Sequence, residues 1–346
     1  MNFMPPTTPG ATSAVCARDW LPVVARYREP DQVRSVIEII VTAAPFLVLW
    51  LGAWWALSVN VWISLAIAVP AAAFLVRFFM IQHDCGHGAF FRCRGVNDWV
   101  GRIIGVVTLT PYAVWRQSHA VHHATSGNLG KRGTGDIDTL TVREYLALPG
   151  WRRLAYRAYR HPVVMFGIGP AYHFLLRNRL PIGLMGAGWR YWASAMGTNV
   201  AIALAAGVLI YLMGAAPFLL VHLPIVLMAS SIGVWLFYVQ HQFEDTFWAE
   251  PEAWDLPDAA LYGSSHYDLP GVLGWLTANI GVHHVHHLCS RIPYYRLPQV
   301  LRDHPELGLV RRLTFRQSLR CVKLRLWDES QRKLVPIAVA RQMQAT

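Results

Sequence analysis

Long apolar runs separated by polar segments dominate the pattern of the chain. Four of them, at residues 39–57, 61–80, 191–213 and 216–240, contain almost no charged side chain. A helix crosses the hydrocarbon core of a bilayer with about 20 mostly apolar residues, because each residue adds about 1.5 Å. The pattern therefore predicts four membrane-spanning helices. Arg77 is the one charge inside these runs, and we expect its head group to snorkel to the interface.

The short connections between the runs predict two helical hairpins. Residues 58–60 join the first pair of runs and residues 214–215 join the second pair, and neither turn contains any of the 31 lysines and arginines. Positively charged loops stay on the cytoplasmic side of a membrane. We therefore predict an all-α integral protein of the cytoplasmic (inner) membrane, in which four transmembrane helices form two hairpins and a helical cap and both termini face the cytoplasm.

Shorter apolar patterns lie outside the four spans. Residues 100–114 and 163–176 are too short to cross a bilayer and carry glycine and proline, which predicts re-entrant or interfacial segments. Residues 311–327 alternate basic with apolar side chains, which is typical of an amphipathic segment on the membrane surface or of a solvated helix packed on the cap. The predicted organisation is an N-terminal tail (1–34), a membrane domain (35–300) and a basic C-terminal segment (301–346).

The composition agrees with a membrane-embedded chain. Of the 346 residues, 54% are hydrophobic and 15% are charged, whereas about a quarter of the residues in a typical soluble domain are charged. Five scattered cysteines without a Cys-x-x-Cys pair exclude a disulfide-rich scaffold. The net charge of +11 suits contact with anionic lipid head groups or with an acidic protein, and we expect no nucleic-acid partner.

Nine of the 15 histidines fall into three short clusters. The clusters occupy residues 83–87, 119–123 and 283–287, all on the predicted cytoplasmic side. Residues three or four positions apart share one face of a helix, so each cluster presents two or three imidazoles together. This spacing predicts metal binding. The candidate ligands are His83, His87, His119, His122, His123, His283, His286 and His287.

The number of imidazoles indicates two metal ions rather than one. Eight exceed a single coordination sphere, and imidazole binds iron, copper, zinc and nickel, so the ligand type leaves the metal open. No Glu-x-x-His pair of the kind found in carboxylate-bridged di-iron bundles is present. Asp84 is a candidate hydrogen-bond partner for a ligand imidazole, the alternative being a helix-end cap. His284 either supports the site from outside the ligand set or takes the place of His283.

Together with their flanks, the three clusters resemble the histidine boxes of membrane fatty acid desaturases. His-Asp-Cys-Gly-His at 83–87 continues into Gly-Ala-Phe-Phe, and Ser-Gly-Asn follows the second cluster at 126–128. Asn-Ile-Gly-Val precedes the third cluster at 279–282, and Arg-Ile-Pro-Tyr-Tyr-Arg-Leu follows it at 291–297. A further segment, Gln-His-Gln-Phe-Glu-Asp-Thr-Phe-Trp at 240–248, is also similar to the family. The resemblance covers residues 37–298 and is to the branch of bacterial and cyanobacterial acyl-lipid desaturases.

The resemblance implies a chemistry and a set of partners. It implies two iron ions held by the box histidines, O2 as oxidant and a ferredoxin or cytochrome b5-like electron donor. The implied substrate is a lipid-linked, monounsaturated fatty acyl chain that gains a cis double bond. No protein acid, base or nucleophile is implied, so the metal ligands are the only expected catalytic residues. His241, directly after the fourth span, is implied as a ninth ligand, the alternative being an interfacial histidine bonded to lipid head groups or to Glu244.

Two other functions remain open from the sequence. A related membrane di-iron hydroxylase or ketolase acting on alkanes or carotenoids would use the same boxes. A histidine-rich metal transporter fits less well, because His222 is the only imidazole within a predicted span and ion paths are normally lined by ionisable groups.

Overall fold

The computed structural model describes residues 16–133 and 135–343. The first fifteen residues of the predicted N-terminal tail and the last three of the C-terminal segment lie outside the described residues. The described chain is mostly helical. Its α-helices are α1 (Ala17–Val24), α2 (Gln32–Ala56), α3 (Val61–His87), α4 (Arg94–Val107), α5 (Tyr112–Thr125), α6 (Val142–Ala147), α7 (Gly150–Tyr159), α8 (Gly169–Leu175), α9 (Trp189–Met213), α10 (Ala215–His241), α11 (Leu256–Tyr262), α12 (Gly271–Leu276), α13 (His283–Leu288), α14 (Leu297–Asp303), α15 (Phe315–Cys321) and α16 (Ile337–Met343).

Four of these helices are long and apolar enough to cross a membrane, as the four apolar runs predict. They are α2, α3, α9 and α10, with 25, 27, 25 and 27 residues. The helix α3 continues beyond the apolar run as far as His87, and α10 ends at His241. His83, His87 and His241 of the candidate site therefore belong to the same continuous helices as the long apolar runs.

The helix α3 lies between two of the other spans. It packs against α2 and against α10, and its small residues Ala68, Ala71 and Ala72 are buried at these contacts. Small residues let helix backbones approach closely, which is the main way helices associate in lipid. The apolar window of α9 has no buried residue, so the side chains of this part of the helix lie on the outside of the protein.

The expectation that Arg77 snorkels to the interface is wrong. Its side chain is 1% exposed and forms an ion pair with Glu38, which is also 1% exposed. The reason is the length of α2, which begins at Gln32 and so places Glu38 within the helix, on the side that faces α3. The apolar run starts at residue 39 and does not include Glu38, so the run alone does not predict this partner.

Within residues 16–133 and 135–343, five short strands depart from the all-α prediction. They are β1 (Leu140–Thr141), β2 (His266–Asp268), β3 (Arg312–Thr314), β4 (Leu326–Asp328) and β5 (Lys333–Val335). The strands β1 and β4 pair in parallel, β4 and β5 are antiparallel, and β2 and β3 are parallel. Each has two or three residues, too few for a recognisable local pattern. The pairs β1–β4 and β2–β3 also join segments distant in sequence, whereas β5 pairs with the neighbouring β4.

The basic stretch at 311–327 is not a single amphipathic helix. It forms β3, the short helix α15 and part of β4, and the Thr314 hydroxyl with the Gln317 side chain makes a capping box at the start of α15. The alternation of basic and apolar residues has a period close to two, which suits a half-buried strand as well as a surface segment. The 100–114 run becomes the end of α4 and the start of α5, while 163–176 contains a π-helix at Val164–Ile168 followed by α8.

Candidate metal centre

Close packing of α3 and α5 brings the first two histidine clusters together. His83 and His87 occupy the last two turns of α3, which ends at Gly88 in the left-handed conformation with φ +67°. Between them, a Cβ atom at Gly86 would lie 2.7 Å from the Trp115 ring of α5. Glycine at this position therefore allows the two helices to approach.

The third cluster lies on the six-residue helix α13, which is entirely buried. The segment before it is held by backbone contacts, because Tyr267 N donates to Gly281 O at 2.7 Å. A Cβ atom at Gly281 would lie 2.2 Å from the Tyr267 carbonyl oxygen, so a larger residue cannot keep this contact. The Gln240 side chain also donates to Ile280 O at 3.0 Å, tying the end of α10 to the start of α13.

All nine histidines that the sequence assigns to the site come together, in two groups. Within each group the candidate ligand atoms lie within 4.8 Å of one another. We call these the first histidine group, consisting of His83, His87, His119, His123 and His286, and the second histidine group, consisting of His122, His241, His283 and His287.

The second and third clusters each divide between the two groups, which differs from the common face expected for each cluster. His119 and His123 belong to the first group whereas His122 belongs to the second. Neighbouring residues of a helix point about 100° apart, so His122 and His123 diverge enough to serve two adjacent centres. The helix α13 does the same with His286 and His287.

The imidazole nitrogens of each group face one another at short range. In the first group the His119 Nε2 atom lies 3.1 Å from His87 Nε2 and 3.1 Å from His123 Nε2. In the second group His241 Nε2 lies 3.2 Å from His122 Nε2 and 3.0 Å from His283 Nε2. These separations bring several nitrogen lone pairs to one point, as a metal ion requires.

The hydrogen bonds on the other ring nitrogens identify which atoms are free to bind metal. The His122 Nδ1 atom contacts the Asp136 carboxylate, and His241 Nδ1 contacts the Gly263 carbonyl oxygen at 3.2 Å. Both oxygens accept hydrogen bonds, so each Nδ1 carries the proton and each Nε2 presents a lone pair. Two lone pairs that face each other at 3.2 Å repel unless a cation lies between them. The donor set therefore fits a bound metal.

Burial also favours the neutral form of the histidines outside the spans. It lowers the pKa of His119, His123, His283, His286 and His287 well below 6.5. Nearby imidazoles add to the shift, because two protonated rings in contact would repel each other. Neutral imidazole is the form that binds metal.

Two carboxylates contact the Nδ1 atoms of histidines, one for each histidine group. Asp84 Oδ1 lies 3.0 Å from His83 Nδ1, the position predicted for it, and its Oδ2 atom accepts a hydrogen bond from Tyr294 N at 2.7 Å. The second carboxylate, Asp136, was not predicted. Its loop passes against α5 at Gly135, where φ is +75° and a Cβ atom would lie 2.9 Å from Ser118 O. The only local signal is the Gly-Asp pair itself.

The remaining histidines of the described chain stay outside both groups. His284 is fully buried, and its Nε2 atom contacts Leu307 O at 2.9 Å. Of the neighbouring residues His283 and His284, the second histidine group therefore contains His283. His222 lies within α10 and stacks on Phe218 at 5.3 Å. His161, His173, His266 and His304 also lie outside the groups.

Two cavities adjoin these elements. A small one of about 10 Å³, beside Asp136, His241 and Trp248, has room for about one water molecule. A larger groove of about 570 Å³ lies between α3, the π-helical segment and α10. Its lining is apolar apart from Ser231 and includes Val69, Ile168 and Met228.

Fold and site together define a membrane protein with two adjacent histidine groups that could hold metal ions. The family model described as "Fatty acid desaturase" matches residues 60–318. The chain therefore belongs to the fatty acid desaturase family, as its motifs predict, and it is a desaturase enzyme.

Individual relatives agree with this assignment. The chain is 46% identical to a "Fatty acid desaturase" of Bacillus subtilis over 312 residues, which is 90% of this chain and 88% of the relative. It is 28% identical to an "sn-1 oleoyl-lipid 12-desaturase" of Synechocystis over 75% of this chain and 72% of the relative. An "sn-1 acyl-lipid omega-3 desaturase (ferredoxin)" of Synechocystis is 29% identical over 63% of this chain and 61% of the relative.

Proposed function

We propose that this protein inserts a cis double bond into a lipid-linked fatty acyl chain at a centre of two iron ions, using O2 and two external electrons. The single observation that carries the proposal is the convergence of nine histidines into two adjacent groups at the ends of α3 and α10. An all-histidine donor set without a bridging carboxylate suits a membrane desaturase better than a soluble di-iron bundle.

The first histidine group would hold one iron and the second histidine group the other. When bound, iron supplies the redox chemistry by which O2, two electrons and two protons remove two hydrogens from adjacent methylene carbons and leave as two waters. Zinc has no redox chemistry of this kind. Asp84 and Asp136 keep the proton of His83 and His122 on Nδ1, which leaves Nε2 for the metal. No further acid, base or nucleophile of the protein is required.

A membrane lipid is the substrate class that best suits the position of the site. Three of the nine histidines, His83, His87 and His241, lie on the last turns of two spans, so an acyl chain in the bilayer would have only to reach the end of α3 or α10. The relatives with "oleoyl-lipid" in their names act on a lipid-linked monounsaturated chain, and we infer the same for this protein. The reducing partner would be a ferredoxin or a cytochrome b5-like protein, and the net charge of +11 suits an acidic donor.

The proposed topology follows from the charge of the connections. We infer two hairpins in the cytoplasmic membrane, with the histidine groups, the cap and both termini in the cytoplasm, because the short turns at 58–60 and 214–215 lack lysine and arginine. The membrane domain would comprise residues 35–300, between the tail at 1–34 and the basic segment at 301–346.

The decisive experiment is expression in a host whose lipids are simple saturated and monounsaturated species. We expect new chains that are lighter by two hydrogens, and mass spectrometry of derivatised lipids locates the added double bond. A His122→Ala/His286→Ala variant, which lacks one ligand of each group, is the matched control and should produce none. Products heavier by one oxygen would instead show hydroxylation and would contradict the proposal.

A further inference from the structure

A buried charged network lies beside the two histidine groups. Its centre is the Glu38–Arg77 pair between α2 and α3, in which both side chains are 1% exposed. Burying an ion pair removes both charges from water, and this cost often exceeds the attraction gained. A contribution to stability alone therefore explains this pair poorly.

The Arg77 guanidinium donates hydrogen bonds to two separate segments, α2 and α12. One Nη atom pairs with Glu38, Nε donates to Thr42 Oγ1 at 3.1 Å, and the other Nη donates to the carbonyl oxygen of Trp275. The guanidinium also lies 4.1 Å from the centre of the Trp275 ring and 5.4 Å from that of Tyr294. A rigid planar fork with five donors that also stacks on aromatic rings is specific to arginine, because the lysine ammonium is a compact charge with three donors on a flexible stem.

Trp275 and Tyr294 flank the third histidine cluster on opposite sides. Trp275 precedes His283 by eight residues, and Tyr294 follows His287 by seven. One side chain of α3 therefore contacts the chain both before and after α13. Since α13 supplies ligands to both histidine groups, the contact holds both groups against α3.

The network continues from Tyr294 to a ligand of the first histidine group. The Tyr294 hydroxyl donates to Glu38 Oε2 at 3.1 Å, and its backbone N–H donates to Asp84 Oδ2 at 2.7 Å. Asp84 in turn contacts His83 Nδ1 at 3.0 Å. Arg77 itself lies six residues before His83, about 9 Å along the helix axis, so any influence on the site passes through Tyr294 and Asp84.

We propose that Arg77 is a positioning residue for the metal centre, which fixes α13 and Asp84 relative to the end of α3. The proposal rests on the proposed function for its iron ligands. It concerns the geometry of the histidine groups, and it assigns Arg77 no contact with substrate or metal.

The test compares metal affinity with stability in three variants. Arg77→Lys keeps the charge but loses the fork. The double variant Glu38→Gln/Arg77→Met removes both charges, so no unpaired charge remains buried. Arg179→Lys is the matched control, because Arg179 bonds Leu109 O and Asn199 instead. Each purified full-length protein is measured for Co²⁺ affinity, for the visible absorption spectrum of bound Co²⁺ and for the Tm of the metal-free form.

We expect Arg77→Lys and the double variant to bind Co²⁺ about tenfold more weakly, the order of loss seen when a residue that orients metal ligands is removed. Their cobalt spectra should also change. The double variant should keep a metal-free Tm close to that of the unsubstituted protein, and Arg179→Lys should keep affinity and spectrum.

Unchanged affinity and spectrum in the double variant would overturn the proposal, as would an equal loss in Arg179→Lys. These readouts do not depend on product formation. If the unsubstituted protein makes no double bond, the proposed function fails while the cobalt comparison still decides the role of Arg77.

Discussion

Replacing His241 by alanine tests whether this residue is a metal ligand or an interfacial histidine. His241 ends α10, and its Nε2 atom lies within 3.2 Å of His122 Nε2 and His283 Nε2 in the second histidine group. The first histidine group contains no residue of α10. We therefore expect His241→Ala to lose one iron of two and to retain the other.

The magnitude follows from the size of the second group, which has four members. Structural zinc sites with four ligands bind their ion with about 10–16 kcal/mol, and on that scale one ligand accounts for about 3 kcal/mol. This corresponds to roughly a 100-fold loss of affinity. The metal-free variant should lose less stability than a buried side chain usually costs, because removal of His241 also ends the repulsion between its lone pair and that of His122.

The assay is iron content per chain together with product formation after expression in the lipid host. His222→Ala is the control, since His222 lies nineteen residues earlier on the same helix, about 28 Å away along its axis. It should keep both irons and most of the activity. Full iron content with normal products in His241→Ala would refute the assignment, and equal iron loss in His222→Ala would show that damage to α10 is responsible.

Four further predictions address ligands, supports and topology. His122→Ala and His286→Ala should each abolish desaturation while the protein still inserts into the membrane, as checked by membrane fractionation. Asp136→Asn should weaken metal binding about tenfold in a metal titration, because His122 loses its anionic acceptor. Gly281→Ala should destabilise the protein by about 2 kcal/mol or more in thermal unfolding, since its Cβ would meet Tyr267 O at 2.2 Å. A reporter fused at Asn60 should be found outside the cytoplasm, and one fused after residue 346 inside; the reverse would contradict the topology.

The features predicted well from the sequence are those that depend on local pattern. The spans require only a run of apolar residues, and α2, α3, α9 and α10 appear where the runs are. The histidine clusters are recognisable because ligand spacing is a property of a few neighbouring residues. His241 directly follows an apolar run, so its position in the sequence also predicts that it lies at the same interface as His87.

The features that were missed depend on contacts between distant segments. Arg77 is buried because α2 extends beyond its apolar run and brings Glu38 alongside, and no pattern within 61–80 records this. The division of His122 and His123 between two groups depends on how α5 is rotated against α3 and α10. Asp136 reaches His122 through a turn at Gly135, whose positive φ and close approach to α5 are properties of the folded chain.

The two histidine groups are not independent, because two helices serve both of them. The helix α3 contributes only to the first group and α10 only to the second, whereas α5 and α13 each contribute to both. A displacement of α3 or α10 therefore changes one centre, and a displacement of α5 or α13 changes two. Since each ligand contributes to the free energy of metal binding only when it is in place, binding at either group favours the same arrangement of α5 and α13. Occupation of one group should thus raise the affinity of the other without any direct contact between the ions.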